Sequence, residues 1–154
     1  MLQLETTMRC GIQTHRPCCP SSRLVAPPGR TLTWTDEQLE RFDAVRELEI
    51  AVRRADGTLR PWTPIWVVCV DGDVYVRTWY RRTTGWFGLA LRTERARVRI
   101  PGVEVGVRVK DVGTGRTELR AAVDDAYRDK YGGGTTGGMV SDEAAATTLR
   151  LLAA

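Results

Sequence analysis

The sequence is poor in the side chains that usually carry acid–base and metal chemistry. Among its 154 residues there is one histidine, His15, and three of the four cysteines also lie in the first 30 residues. The spacing of these residues matches no standard zinc motif, so we expect no metal site. The remaining cysteine, Cys69, stands in an apolar run, where a buried structural thiol is more common than a nucleophile. The residues alone therefore assign no catalytic group.

The sequence also lacks the motifs of several large enzyme classes. It contains no Gly-x-Ser-x-Gly elbow, no Walker loop and no dinucleotide-binding glycine fingerprint between a strand and a helix. It has no run of 18 apolar residues that could span a membrane, and its amino-terminal segment lacks the continuous apolar core of a secretory signal. We expect a cytoplasmic protein, with no membrane partner and with reduced cysteines.

The net charge of +4 belongs mostly to the amino-terminal segment. Residues 1–30 carry four arginines and one acid, for +3, and the remaining 124 residues carry 19 basic and 18 acidic groups, for +1. A nucleic-acid binder usually owes its affinity to positive charge clustered on the folded domain. The alternating row Arg95, Arg97 and Arg99 also lacks the exposed aromatic residues that single-strand binders add on the same strands. The composition therefore argues against a nucleic-acid partner.

Composition divides the chain into two parts. Residues 1–30 are a mixture of proline, serine, arginine and cysteine, which predicts a disordered amino-terminal extension. Residues 31–154 predict one folded domain, because a chain that is 42% hydrophobic has enough apolar material for a core.

Hydrophobic periodicity predicts that this domain is α+β and mainly antiparallel β. Thr35 and Gln38 occupy the positions of a capping box and start a short helix. Asp71-Gly72 joins an apolar run to an alternating one, which is the strongest hairpin signal in the chain. Six strands are predicted, at Glu47–Arg53, Thr63–Val70, Asp73–Thr78, Arg95–Ile100, Val103–Lys110 and Thr147–Leu152, with short helices from Asp36 and over Trp86–Arg92 and one longer helix over Thr117–Lys130. Strands in consecutive hairpins favour a small barrel, because closure removes exposed sheet edges.

The segment between the third strand and the next helix contains the best candidate for a binding site. Its polar and glycine residues are Arg77, Thr78, Arg81, Arg82, Thr84 and Gly85. The free N–H groups of a helix start, threonine hydroxyls and guanidinium groups together suit a phosphate. The alternative is a solvated basic loop in which Thr84 is an ordinary helix cap.

Other residues leave two interpretations open. Trp79 and Trp86 suit either stacking on a ligand ring or packing in the core or in a dimer interface. Tyr127, Lys130 and Tyr131 fall on one side of a helix, either as a polar rim around a ligand or as amphipathic side chains that keep their tips wet. The glycine-rich stretch 132–138 suits a flexible linker better than a loop that wraps an anion.

Several of these segments resemble known proteins. Thr63–Val68 and Asp71–Arg77 resemble the central hairpin of the split-barrel flavin proteins, which are the relatives of pyridoxamine 5'-phosphate oxidase and of the deazaflavin-dependent reductases. More narrowly, Gly85-Trp86-Phe87, Ala126–Gly132 and Thr147–Leu151 are similar to the uncharacterised bacterial family called domain of unknown function 2255.

The resemblance implies a six-stranded split β-barrel that usually forms a homodimer. In related proteins the phosphate of a flavin or deazaflavin lies near the end of the third strand and the following helix. Carried over to this sequence, the residues that bind FMN or a deazaflavin are Arg77, Thr78, Arg81, Arg82, Thr84, Gly85 and Trp86. A redox cofactor also suits a chain with few acid–base residues, because the cofactor performs the chemistry and the protein positions it.

One departure from that pattern keeps a second hypothesis open. Many split-barrel oxidases and reductases have a lysine at the start of that helix, whereas this chain has no lysine before Lys110. The first hypothesis is a flavin- or deazaflavin-dependent oxidoreductase of unknown substrate. The alternative is a non-catalytic dimeric split-barrel protein that binds a ligand or another protein. A third hypothesis is an RNA binder that uses the row from Arg95 to Arg99.

Overall fold

The fold is a closed six-stranded β-barrel in which all neighbouring strands run antiparallel. The computed structural model describes residues 33–78, 85–113, 115–132, 134 and 136–154. The strands are β1 (Glu47–Ala51), β2 (Thr63–Val70), β3 (Asp73–Val76), β4 (Arg95–Ile100), β5 (Val103–Asp111) and β6 (Leu149–Ala153). They close in the order β1-β2-β3-β6-β5-β4, which confirms the predicted split barrel. The predicted extension 1–30 lies outside the described residues and stays a prediction.

Two tight turns set the register of the hairpins. Val70 pairs with Asp73 across Asp71 and Gly72, whose φ angles of 50° and 81° are the positive values that a type I′ turn requires. The turn between β4 and β5 has Gly102 at φ 79°, where a type II turn needs a glycine. The first of these turns lies at the Asp71-Gly72 dipeptide that the sequence predicts.

The described residues form four helices. They are α1 (Asp36–Ala44), α2 (Gly85–Thr93), α3 (Thr117–Tyr131) and α4 (Asp142–Ala145). The predicted capping box is confirmed, since Thr35 Oγ1 accepts the Gln38 N–H at 3.2 Å and Gln38 Oε1 accepts the Thr35 N–H at 3.0 Å. The last helix, α4, is a single turn capped by Ser141, whose Oγ accepts the Ala144 N–H at 3.2 Å.

The barrel interior is filled by aliphatic side chains from every strand. Fully buried examples are Leu48, Ile50, Val67, Val74, Val76, Val98, Leu149 and Leu151. Two helices add aromatic rings to the same core, Trp34 and Phe42 at α1 and Phe87 from α2. The indole N–H of Trp34 donates to the Leu151 carbonyl at 2.8 Å, so its one polar atom is satisfied inside the core.

Helix α3 packs on the outer surface of β2 and β3. Its side chains Val123, Tyr127 and Tyr131 form a second buried cluster with Val68 and Tyr75. The Tyr131 ring also stacks on Trp66, with 4.1 Å between ring centroids and 3° between planes. This outer layer brings α3 against the end of β3, where the candidate site begins.

Candidate functional site

One buried arginine organises the end of β3. Arg77 is 1% exposed. Its Nη1 donates to Asp124 Oδ1 at 2.5 Å and to the Met139 carbonyl at 2.7 Å, and its Nε donates to Thr148 Oγ1 at 2.9 Å. The guanidinium carbon lies 5.4 Å from the centroid of the Tyr127 ring. A single side chain therefore joins the end of β3 to α3, to the turn before α4 and to the residue that precedes β6.

These contacts neutralise Arg77 inside the protein. A buried cation needs a counter-ion, and the Asp124 carboxylate supplies it with a side chain that is 11% exposed. Arg120 Nε lies 3.7 Å from the other oxygen of the same carboxylate. Among the described residues, Arg77 Nη2 is buried and has no hydrogen-bond partner. The role of Arg77 as a phosphate ligand stays a prediction, although its other two nitrogens are directed into the protein.

Thr78 is held by a side chain and not by the strand ladder. The pairing of β3 with β6 ends at Val76 and Leu149, so both predicted strands, which run to Thr78 and from Thr147, are too long. Beyond that point Thr147 Oγ1 accepts the Thr78 N–H at 3.0 Å and lies 2.7 Å from the Thr78 carbonyl oxygen. A threonine hydroxyl can replace a backbone partner in this way, which ends the strand and still fixes the chain.

The remaining predicted phosphate residues lie beyond Thr78. Arg81, Arg82 and Thr84 are outside the described residues, so their places stay predictions. Gly85 is the first residue of α2, with φ 69°, and among the described residues beyond its neighbours and its own helix backbone no atom lies within 4 Å of the position that a Cβ would occupy. The first turn of α2 contains no acidic residue. The described part of the chain therefore does not fill the space beside this glycine, and the first turn holds no carboxylate that would repel an anion.

Trp86 lies half-buried beside the barrel core. Its ring meets the Phe87 ring edge-on, with 5.6 Å between centroids and 88° between planes, and it packs against the core cluster. The structure therefore shows that Trp86 packs in part against the core. Its place beside a cofactor ring or in a dimer interface stays a prediction.

The polar side of α3 ties this helix to the barrel. Lys130 Nζ donates to the carbonyls of Phe42, at 3.1 Å, and Val67, at 2.8 Å. The Tyr131 hydroxyl accepts the Val67 N–H at 3.0 Å and lies 2.5 Å from the Arg46 carbonyl oxygen. Burial raises the pKa of Tyr131 to about 12 and lowers the pKa of Lys130. Neither interpretation given for these residues describes them fully, because the polar ends of Lys130 and Tyr131 bind backbone groups of the barrel and not solvent, and Tyr127 is fully buried.

The glycine-rich stretch is anchored at Thr136. Its Oγ1 donates to the Gly132 carbonyl at 2.9 Å, and its own carbonyl accepts the N–H groups of Met139, at 2.8 Å, and Val140, at 3.1 Å. The end of this stretch is therefore held close to the Met139 carbonyl that Arg77 binds.

Cys69 has the surroundings of a structural thiol. Burial raises its pKa to about 11, and Asp43 acts in the same direction. The group is therefore a neutral thiol at physiological pH and a poor nucleophile. Among the described residues no three His, Cys, Asp or Glu side chains are grouped so that they could hold a metal ion. No helix of the described chain is both long enough and apolar enough to cross a membrane.

The basic row on β4 is largely neutralised by neighbouring strands. Arg97 pairs with Glu104 at 2.7 Å and Arg99 pairs with Glu49 at 2.5 Å. Arg95 lies opposite Arg108 in the register and is exposed. The row is a partly solvated face in which two of the three arginines are paired with acids.

Two adjoining clefts beside the start of α3 did not follow from the sequence. The smaller, about 240 Å³, is lined in part by Arg116, Thr117, Arg120 and Thr148. The larger, about 1030 Å³, has a mixed lining of acidic and basic residues with Val112 and Leu119. Neither is lined by Arg77, Thr78, Gly85 or Trp86, which are the described members of the predicted phosphate site.

The partners of Arg77 and Thr78 are the functional residues that sequence reasoning missed. Asp124 and Thr147 lie 47 and 69 residues away from them along the chain, so no local motif reports these contacts. One signal was available. Asp124 is an acid within the apolar stripe of α3, one turn before Tyr127, and such an acid predicts a buried cation as its partner.

Comparison with solved structures identifies relatives of the fold. A conserved hypothetical protein from Mycobacterium tuberculosis is 16% identical, with a TM-score of 0.53, over 80% of this chain and 82% of that chain. A protein from Bacteroides thetaiotaomicron, described as a candidate for 5-nitroimidazole antibiotic resistance, is 11% identical, with a TM-score of 0.50 and the same coverage. A FAD-binding protein from Mesorhizobium loti is 14% identical over 80% of this chain and 92% of that chain, with a TM-score of 0.48. At these identities the likeness to the first two establishes a shared fold.

Comparison of the sequence itself gives a narrower result. No curated protein matches the chain. One family model, described as an uncharacterised protein conserved in bacteria, matches residues 38–151. This stretch contains β1 to β5, the first three residues of β6 and the predicted phosphate residues. The chain belongs to that family, domain of unknown function 2255 (DUF2255).

Proposed function

We propose that this protein binds FMN or a deazaflavin between the end of β3 and the start of α2 and works as an oxidoreductase on a substrate still to be identified. Arg81, Arg82, Thr84 and the first N–H groups of α2 at Gly85 hold the cofactor phosphate. Trp86 lies beside the cofactor ring or at the contact with a second copy, in a cytoplasmic homodimer.

The observation that carries this proposal is that the arginine segment lies between two fixed positions of the chain. Six residues, 79–84, separate Thr78 from Gly85. Thr78 is bound to Thr147, and Gly85 begins a helix of nine residues. Fixed flanks reduce the entropy lost when Arg81 and Arg82 engage a ligand, and the helix start adds the positive end of its dipole.

The described residues fit a phosphate group at this helix start. None of the described residues fills the Cβ position of Gly85, which leaves a phosphate oxygen free of them as it approaches the backbone N–H groups, and no carboxylate in the first turn opposes it. Arg77 supports the proposed phosphate site indirectly, because its buried contacts fix the chain just before the phosphate residues.

A bound flavin or deazaflavin would supply the electron and hydride transfer that the described side chains lack. The role left to the protein is to bind the phosphate and to orient the ring. Such a division of labour suits a site whose titratable groups are engaged in structural contacts.

The test is a pair of matched double variants. In Arg81→Ala with Arg82→Ala we expect FMN affinity to fall at least about tenfold, because two charge-assisted contacts to the phosphate are lost, while riboflavin affinity stays unchanged. Arg53→Ala with Arg54→Ala is the control. These two consecutive arginines are exposed, lie between β1 and β2, and their removal changes the net charge by the same amount. Flavin fluorescence titration measures each affinity.

Two results would contradict the proposal at different levels. Unchanged FMN affinity in the Arg81 and Arg82 variant would mean that the phosphate lies elsewhere. Absence of saturable binding of both FMN and a deazaflavin to the unmodified protein would remove the cofactor itself.

A non-catalytic dimeric split-barrel protein is the second candidate. It is favoured by the internal use of Arg77 and by the absence of a lysine before Lys110. A protein that has the mass of a dimer in light scattering, and that binds neither cofactor, would support this alternative.

A further inference from the structure

We propose, as a deepening of the proposed function on which it rests, that Asp124 is a positioning residue for the phosphate site. It acts through Arg77 and Thr78 and does not touch the cofactor. In this proposal Arg77 is not a phosphate ligand, and its role is to hold in place the chain that carries the phosphate ligands.

The placement of Asp124 is the first argument. It lies in the buried stripe of α3, next to Val123 and one turn before Tyr127, whereas the other acids of this helix, Glu118, Asp125 and Asp129, are exposed. A carboxylate in such a layer is costly to bury unless a cation meets it directly. The Arg77 guanidinium does so at 2.5 Å.

The geometry of Arg77 is the second argument. Its side chain has no exposed surface, and its Nη1 and Nε are engaged with Asp124, the Met139 carbonyl and Thr148. A guanidinium buried in this manner cannot reach a ligand in solvent without breaking its own ion pair. It can instead fix the chain at the residue that follows it.

The link from this pair to Thr78 is direct. Two consecutive residues at the end of β3 bind two consecutive residues before β6, since Arg77 Nε donates to Thr148 Oγ1 and the Thr78 N–H donates to Thr147 Oγ1. Loss of the Asp124 charge leaves Arg77 buried without a counter-ion, so its guanidinium has to move. That movement releases Thr148 and loosens the adjacent contact at Thr78, the last fixed position before the phosphate residues.

The Asp124→Asn variant tests this mechanism, because it keeps the shape and removes the charge. We expect FMN affinity to fall about tenfold with little change for riboflavin, because the proposed phosphate ligands follow Thr78 directly, whereas Trp86 is held by its own packing against Phe87 and the core. Tyr131→Phe is the control, since it also removes buried hydrogen bonds from α3, in this case those to Val67 and Arg46. Equal weakening of FMN and riboflavin, or no weakening of either, would overturn the inference.

A measurement without cofactor separates this inference from the proposed function. In Asp124→Asn the Thr78 amide should exchange its hydrogen faster relative to the amides of β4, whereas in Tyr131→Phe this ratio should stay constant. If the unmodified protein binds no flavin, the cofactor proposal fails. The ratio of Thr78 exchange to β4 exchange then decides by itself whether Asp124 fixes the chain at Thr78. An unchanged ratio of the Thr78 exchange rate to the exchange rates of the β4 amides in both variants would overturn the positioning role of Asp124.

A second variant covers the case in which Asp124→Asn does not fold. Thr148→Val keeps the side-chain shape and removes the acceptor of Arg77 Nε. The same selective loss of FMN affinity and the same faster exchange at Thr78 are expected, to a smaller extent. Unchanged exchange at Thr78 in a folded Thr148→Val protein would contradict the inference.

Discussion

At the residue scale, two aspartates provide the sharpest comparison of buried and exposed charge. Asp124 is nearly buried against Arg77, whereas Asp142 pairs with Arg120 at 2.5 Å through a side chain that is 92% exposed. Removal of one partner of a buried pair costs about 3–5 kcal/mol, because the other charge stays buried and unpaired. An exposed pair contributes only about 0–1 kcal/mol.

We therefore expect Asp124→Ala to lower the free energy of unfolding by about 3–5 kcal/mol and Asp142→Ala to lower it by less than about 1 kcal/mol. Urea denaturation followed by circular dichroism measures both. Equal effects of the two substitutions would mean that the Arg77 pair is solvated in the native protein.

A pH prediction belongs to Cys69. In a variant with Cys10, Cys18 and Cys19 replaced by serine, this thiol should titrate with a midpoint near about 11 in the folded protein and near 9.0 after unfolding. Since burial raises the folded pKa, the contribution of Cys69 to stability is complete below pH 9.0 and is lost as the pH rises through about 11. Alkylation rates across this range provide the measurement. A folded midpoint close to 9.0 would show that the thiol is exposed.

The sequence predicts where the candidate site begins but not how it is held. Arg77 and Thr78 stand out because they end an alternating run and precede further arginines. The direction of the Arg77 side chain depends on Asp124 and Met139, which join it only when α3 and the following turn have packed on β3. Local patterns carry no information about contacts of this length.

At the element scale, the β2–β3 turn depends on a glycine in the left-handed region. Gly72 has φ 81°, which an L-residue adopts at a cost of about 1–2 kcal/mol, so Gly72→Ala should lower stability by that amount. Gly106→Ala is the matched control, because no atom of the described part of the chain lies within 4 Å of the Cβ position of this strand glycine, and alanine there should be neutral or stabilising by up to about 1 kcal/mol. Thermal unfolding of both variants measures the difference. Similar melting temperatures would indicate that the turn conformation is not required.

The elements themselves are the part of the fold that the sequence predicts best. Alternation with a period of two and the turn dipeptides report local geometry, and each of the six predicted strands is present. The errors lie at ends that long-range contacts decide. Three predicted strands extend too far. The first ends at Ala51 and not at Arg53. The third ends before Thr78 and the sixth begins after Thr147, because Thr147 uses its side chain where a backbone pair was expected.

At the scale of the whole molecule, the barrel tolerates wide change in sequence. Two solved structures share the fold with identities of 16% and 11%. Barrel closure needs inward apolar residues at alternate positions and turns of the correct type, and many sequences satisfy both. Function is therefore decided by local residues, and in this chain the central claim concerns the short segment between β3 and α2.

The most direct measurement of that claim is equilibrium titration of the purified protein with FMN and with a deazaflavin, with riboflavin as the ligand that lacks the phosphate. The account predicts saturable binding of FMN or the deazaflavin, with clearly weaker binding of riboflavin. Equal affinity for FMN and riboflavin would contradict a phosphate site at the start of α2, and absence of binding by all three would contradict the cofactor itself.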